Sequence, residues 1–68
     1  MKISARNQIK GTVKEVHKGQ TTAHVSIDIG VGILVTASIT NEAVEDLGLK
    51  AGDAATAIIK ASDVLVGK

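Results

Sequence analysis

Thr22-Ala23-His24-Val25-Ser26-Ile27-Asp28-Ile29 alternates apolar and polar side chains without a break: Ala23, Val25, Ile27 and Ile29 fall on one side, His24, Ser26 and Asp28 on the other. A period of two is that of a strand with one face buried and one face wet. Gly30-Val31-Gly32 follows as a permissive tight turn, and then Ile33, Val35, Ala37 and Ile39 alternate with Leu34, Thr36 and Ser38. The two runs predict a β-hairpin.

Upstream, Ile9 to Lys18 is rich in β-branched residues, with Ile9, Gly11 and Val13 on one face but Val16 on the other. That change of phase predicts a bulge or bend near Glu15, and Gly11 is the position for a close backbone approach or a kink. Lys18-Gly19-Gln20 reads as the next turn. Downstream, Thr40-Asn41-Glu42-Ala43-Val44-Glu45-Asp46-Leu47-Gly48 opens on a capping residue, carries acidic side chains early and stops at a glycine, the signature of a short helix. After the Lys50-Ala51-Gly52-Asp53 turn, a fourth strand is expected through Thr56 to Lys60 and a short fifth through Val64-Leu65-Val66. The fold class is therefore all-β: a five-stranded OB-like Greek-key barrel with one short helix between strands 3 and 4. It forms a single domain over residues 1–68, with no internal repeat, linker or proline.

Sixty-eight residues bury too little surface for a core to be more than marginal. With no cysteine there are no disulfides, and with only His17 and His24 as imidazoles a closed zinc site is not expected. No Phe, Trp or Tyr is present, so the core must be made of Val, Ile, Leu and Ala. Association with other copies is the reinforcement that remains.

Eight basic and seven acidic residues, interleaved to a net charge of +1, contain no basic block that would mark a nucleic-acid or membrane partner. Single-strand binding on an OB fold also generally uses aromatic platforms, and there are none. The amino end has no apolar stretch resembling a signal peptide, so the expected location is cytoplasmic.

Catalytic patterns are equally sparse. The serines lie outside any nucleophile elbow, Gly30-Val31-Gly32 lacks the third glycine of a dinucleotide motif, and Lys18-Gly19-Gln20-Thr21-Thr22 lacks P-loop spacing. His17, beside a turn, and His24, on a polar strand face, read as solvent-facing or interface residues in preference to ligands. Arg6, the one arginine, and Lys60, at the end of an apolar strand, read by themselves as a surface ion pair and a solvated strand end.

Lys2-Ile3-Ser4-Ala5-Arg6-Asn7-Gln8-Ile9-Lys10-Gly11 closely resembles the start of the molybdate-binding Mop domain, the module of the molbindins. The resemblance continues through Ser38-Ile39-Thr40, Val44-Glu45-Asp46-Leu47-Gly48-Leu49, the Gly52 turn and Ala57-Ile58-Ile59-Lys60-Ala61-Ser62-Asp63-Val64, and so covers essentially the whole chain. It implies a homohexamer, a trimer of dimers, holding oxyanions between subunits. Ser4, Arg6 and Lys60 would donate side-chain hydrogen bonds to molybdate or tungstate, with backbone N–H groups near Ala5 and Ala61 as helpers. Across the interface, Thr40 and the turn entering the helix would complete the shell. At Ala43, where relatives commonly carry serine, only the backbone N–H could contribute, near the positive helix end. A second class of site is implied near a three-fold axis, for which the Lys18 to Thr22 turn is the candidate and Ser62 or His24 the alternatives.

The function so implied is cytoplasmic binding, storage and buffering of molybdate or tungstate, with the oxyanion as bound ligand, no organic cofactor and no enzymatic activity. No transporter or DNA-binding part is attached to the domain, which favours storage. The alternative is an oxyanion-responsive regulatory or assembly module that signals to a partner. A small hydrolase or transferase subunit is disfavoured by the lack of a catalytic constellation.

Overall fold

The structure, a computed structural model, describes all residues from 1 to 68. Four strands, β1 (Asn7–Lys18), β2 (Thr22–Asp28), β3 (Leu34–Thr40) and β4 (Ala54–Ile59), form one antiparallel sheet in the order β3-β2-β1-β4. The helix α1 (Asn41–Leu47) lies between β3 and β4, and a single 3-10 turn (Ala61–Asp63) follows β4. No helix is long and apolar enough to cross a membrane.

The long β1 organises the sheet by changing partner along its length. Its first half, Asn7 to Thr12, pairs with β4, and its second half, Thr12 to Lys18, pairs with β2. The expected irregularity is present as a register shift between Val13 and Glu15. Its effect is physical: Val13 sits opposite Ile27 and Val16 opposite Val25, so the extra residue brings both valines to the side that faces the core. Gly11 lies where β1 hands over from β4 to β2. A Cβ there would be 2.5 Å from the Asp28 carbonyl oxygen and 2.8 Å from Ile27 Cγ2, so the close approach requires glycine.

The β2–β3 hairpin is closed by a turn in which Gly30, Val31 and Gly32 all have positive φ. The Ile33 N–H donates to the Gly30 carbonyl at 3.0 Å, and the Asp28 carboxylate accepts from the Gly30 N–H at 2.8 Å. Val31, a β-branched residue at φ 50°, is strained there. The helix starts and ends where the sequence marks it, with Thr40 as N-cap and Gly48 as C-cap.

The fifth strand does not form, and in place of the expected five-stranded OB-like barrel there is a curled four-stranded antiparallel sheet. Val64 is extended, but Val64, Leu65 and Val66 pair with nothing and are 49, 91 and 94% exposed. Three successive apolar residues have the composition of a strand, yet composition alone does not make them pair. The outer edges of β3 and β4 are both unpaired, with an apolar cleft between them lined by Val35, Ala37, Ile39, Leu47, Ala57 and Ile59.

The core is correspondingly small. Val13, Ala23, Val25, Ile27, Val44 and Ala57 are the only fully buried residues, and none is larger than isoleucine. A core of six such side chains is the marginal one expected of a short chain without aromatic residues.

Candidate functional site

The first half of the candidate site is built by the end of the β1–β4 ladder. The last Cα pair is Asn7 with Ile59, and it is tied by the Asn7 amide, which donates to the Ile59 carbonyl at 3.2 Å. Arg6 and Lys60 lie one residue beyond this last pair on their respective strands, with Ala5 and Ala61 the next residues out. The Gln8 amide donates to the Ala5 carbonyl at 3.0 Å and holds this approach in place. Beyond Lys60 the chain turns tightly: the Asp63 N–H donates to the Lys60 carbonyl at 2.9 Å.

Arg6 and Lys60 are both exposed, and neither has a carboxylate partner. The one ion pair in the chain joins Lys18 and Glu45, at 3.2 Å, on the other side of the sheet's length. Arg6 is therefore not the surface ion pair that its position alone suggested. The Ser4 hydroxyl and the Ala5 and Arg6 N–H groups also have no hydrogen-bond partner within the chain. Ala61 opens the 3-10 turn, where an N–H has no acceptor inside the turn. These donors lie just beyond the end of the β1–β4 ladder, and two of them, Arg6 and Lys60, are cationic.

The second half is the entry to α1. Thr40 is the last residue of β3, paired with Thr22, and its hydroxyl oxygen accepts from the Ala43 N–H at 3.0 Å. The Ala43 N–H is thus already engaged within the chain, while the Thr40 hydroxyl proton is left free to donate. Asn41 fastens this entry to the β1–β2 turn: its backbone N–H donates to the Thr21 carbonyl at 2.9 Å and its amide to the Gly19 carbonyl at 2.9 Å. The Asn41 Oδ1 atom is buried and has no partner. Thr40→Ala removes the cap and should lower stability by about 1 kcal/mol in urea denaturation, whereas Thr40→Ser should leave it nearly unchanged.

These two halves do not meet in one chain. Arg6 and Lys60 stand at the Asn7 end of β1. Thr40 stands at the Lys18 end, paired with Thr22 one row beyond the row that runs from Lys18 through Ala23 to Ile39. So the fold gathers Ser4, Ala5, Arg6, Lys60 and Ala61 in one place, and Thr40 with Ala43 in another. The Lys18 to Thr22 turn is closed by the Gly19 N–H donating to Thr22 at 2.8 Å, and Ser62 is exposed in the 3-10 turn. No group of three or more histidine, aspartate or glutamate side chains is placed to hold a metal ion. One arrangement escaped the sequence reading: His17 and His24 are direct cross-strand partners. Counting back from the turn at Gly19 would have paired them.

The comparisons with known proteins agree with one another. A family model described as the TOBE domain matches residues 3–66. The chain is 50% identical over 66 residues to molybdenum-pterin-binding protein 3 of Clostridium pasteurianum, covering 97% of each chain. It is 49% identical over 67 residues to a probable molybdenum-pterin-binding protein of Haemophilus influenzae, covering 98% of this chain and 97% of that one. Among solved structures, a molybdate-binding protein from Sporomusa ovata superposes with a TM-score of 0.93 at 44% identity, over the full length of both chains.

Proposed function

This chain belongs to the TOBE-domain family and, within it, to the Mop proteins, and from that premise we propose that it binds molybdate or tungstate at sites shared between copies of itself and holds the anion in reserve. The observation that carries the proposal is that Arg6 and Lys60 each lie one residue beyond the last pair of the β1–β4 ladder, with neither of them in an ion pair.

A tetrahedral oxyanion already surrounds its metal with oxygen, so a protein that binds it supplies hydrogen-bond donors and charge to offset lost hydration. Arg6 offers a planar fork of N–H groups, Lys60 a compact ammonium, and Ser4 with the N–H groups near Ala5 and Ala61 the neutral donors. Two positive charges balance a dianion. The free Thr40 hydroxyl, with the turn leading to Ala43, would come from another copy, because in its own chain it stands at the far end of β1.

Assembly as a homohexamer, a trimer of dimers, would cover apolar surface that one chain leaves open, including Leu47, Leu65, Val66 and the cleft between β3 and β4. A rigid cage of donors fixed by several chains can then select the anion by size, favouring molybdate and tungstate over the smaller sulfate. The role is that of a cytoplasmic store and buffer, using neither an organic cofactor nor a catalytic step.

Calorimetric titration with molybdate, tungstate, sulfate and phosphate tests this reading. The two larger anions should bind at least about 100-fold more tightly, a difference of about 3 kcal/mol. Equal affinity for all four would rule out a selective oxyanion site.

A further inference from the structure

His17 and His24 lie on neighbouring antiparallel strands and stand directly opposite each other. The rows on either side are Val16 with Val25 and Lys18 with Ala23, in which Val25 and Ala23 are buried. Because side chains alternate, the two histidines share the opposite face of the sheet, and both are exposed. The Gly19 N–H donates to the Thr22 carbonyl at 2.8 Å. Two residues back along each strand, His17 and His24 are therefore also a hydrogen-bonded pair, with Cα atoms about 5.5 Å apart.

Neither imidazole makes a hydrogen bond or an ion pair within the chain. Their neighbours on the same face are Ser38, opposite His24 on β3, and the cross-strand pair Glu15 and Ser26 one row further along. The one ionisable side chain of that set is the Glu15 carboxylate, and Lys18, next to His17 along β1, is paired with Glu45.

We propose that His17 and His24 together chelate a divalent transition-metal ion, Cu²⁺ most tightly and Ni²⁺ or Zn²⁺ more weakly. Imidazole suits all three ions, and the order follows their general ranking for nitrogen ligands. Metal–nitrogen distances of about 2.0–2.1 Å require the two ring nitrogens to approach to roughly 3 Å, within reach of side chains whose Cβ atoms are about 5 Å apart. The ladder holds both ligands in advance, so little conformational entropy opposes chelation. No third protein ligand closes on them, so water completes the coordination and the site is open. It stands at the Lys18 end of β1, away from Arg6 and Lys60 of the same chain, and Ser38, opposite His24, is two residues from Thr40 along β3.

Titration of the intact protein, in its native assembly, with Cu²⁺ tests the inference, using calorimetry for affinity and electron paramagnetic resonance for nitrogen ligation. Wild type should bind one Cu²⁺ per chain through two nitrogens, about 100-fold more tightly than either His17→Asn or His24→Asn, because the second imidazole acts intramolecularly. Each variant should retain the circular dichroism of the wild type, since both side chains are exposed and unpartnered. Equal affinity in wild type and variants, a loss confined to one variant, or no binding by the wild type overturns it.

Discussion

Replacing Arg6 by alanine should weaken molybdate binding by about 100-fold while leaving the melting temperature almost unchanged. A hydrogen bond to a charged group contributes about 1.5–3 kcal/mol, and a guanidinium can make two to one anion, so the lost affinity is at least about tenfold and more if both are made. The expected stability change is small for a separate reason. Arg6 is exposed and has no ion-pair partner in the chain, so its removal breaks no ion pair and uncovers no core. Affinity measured by calorimetry and melting measured by circular dichroism separate the two quantities. Unchanged molybdate affinity would mean that the anion is held elsewhere; a collapse of stability would mean that Arg6 is structural.

Gly11→Ala should have the largest effect on stability of any single methyl added to the sheet. The new Cβ would lie 2.5 Å from the Asp28 carbonyl oxygen and 2.8 Å from Ile27 Cγ2. The first of these is backbone and cannot turn aside, so β1 and β2 must separate where β1 changes partner. Overpacking of this kind costs about 1–3 kcal/mol or more, against which the entropy gained on losing glycine offsets only about 0.4–1 kcal/mol. For a domain of this length, total stability is on the order of 3–10 kcal/mol, so the loss is a large fraction of it. The midpoint of urea denaturation, compared at the same protein concentration, checks this. A variant as stable as the wild type would show that the strands do not approach so closely.

The parts of the fold that were legible in the sequence are those set by local pattern. Strict alternation from Ala23 to Ile29 and from Ile33 to Ile39 marked the hairpin, and the structure places Val35, Ala37 and Ile39 against the core. The phase change between Val13 and Val16 marked the bulge, because only an inserted residue can put both on one face. Thr40 and Gly48 marked the ends of α1. Val64-Leu65-Val66 misled, because an apolar triplet marks a surface to be covered without saying what covers it, and here it pairs with neither free edge of the sheet.

The site was legible to a different degree. Arg6 and Lys60 are separated by most of the chain, and neither stands out from local periodicity; the resemblance of the Ser4-Ala5-Arg6-Asn7 segment named them, and the β1–β4 register explains why they belong together. The capping role of Thr40 could be read from its position before the helix, but not that the cap would occupy the Ala43 N–H. The separation of Thr40 from Arg6 could not be read at all, since it depends on how β1 shares itself between β2 and β4.

That separation makes a site shared between copies the central claim, and native mass spectrometry with increasing molybdate tests it most directly. Molybdate should appear only on assemblies of several chains, with hexamers favoured as the anion is added, because a ligand that binds the assembly and not the monomer shifts the equilibrium toward assembly. A monomer carrying molybdate as tightly as the assembly does would contradict a shared site.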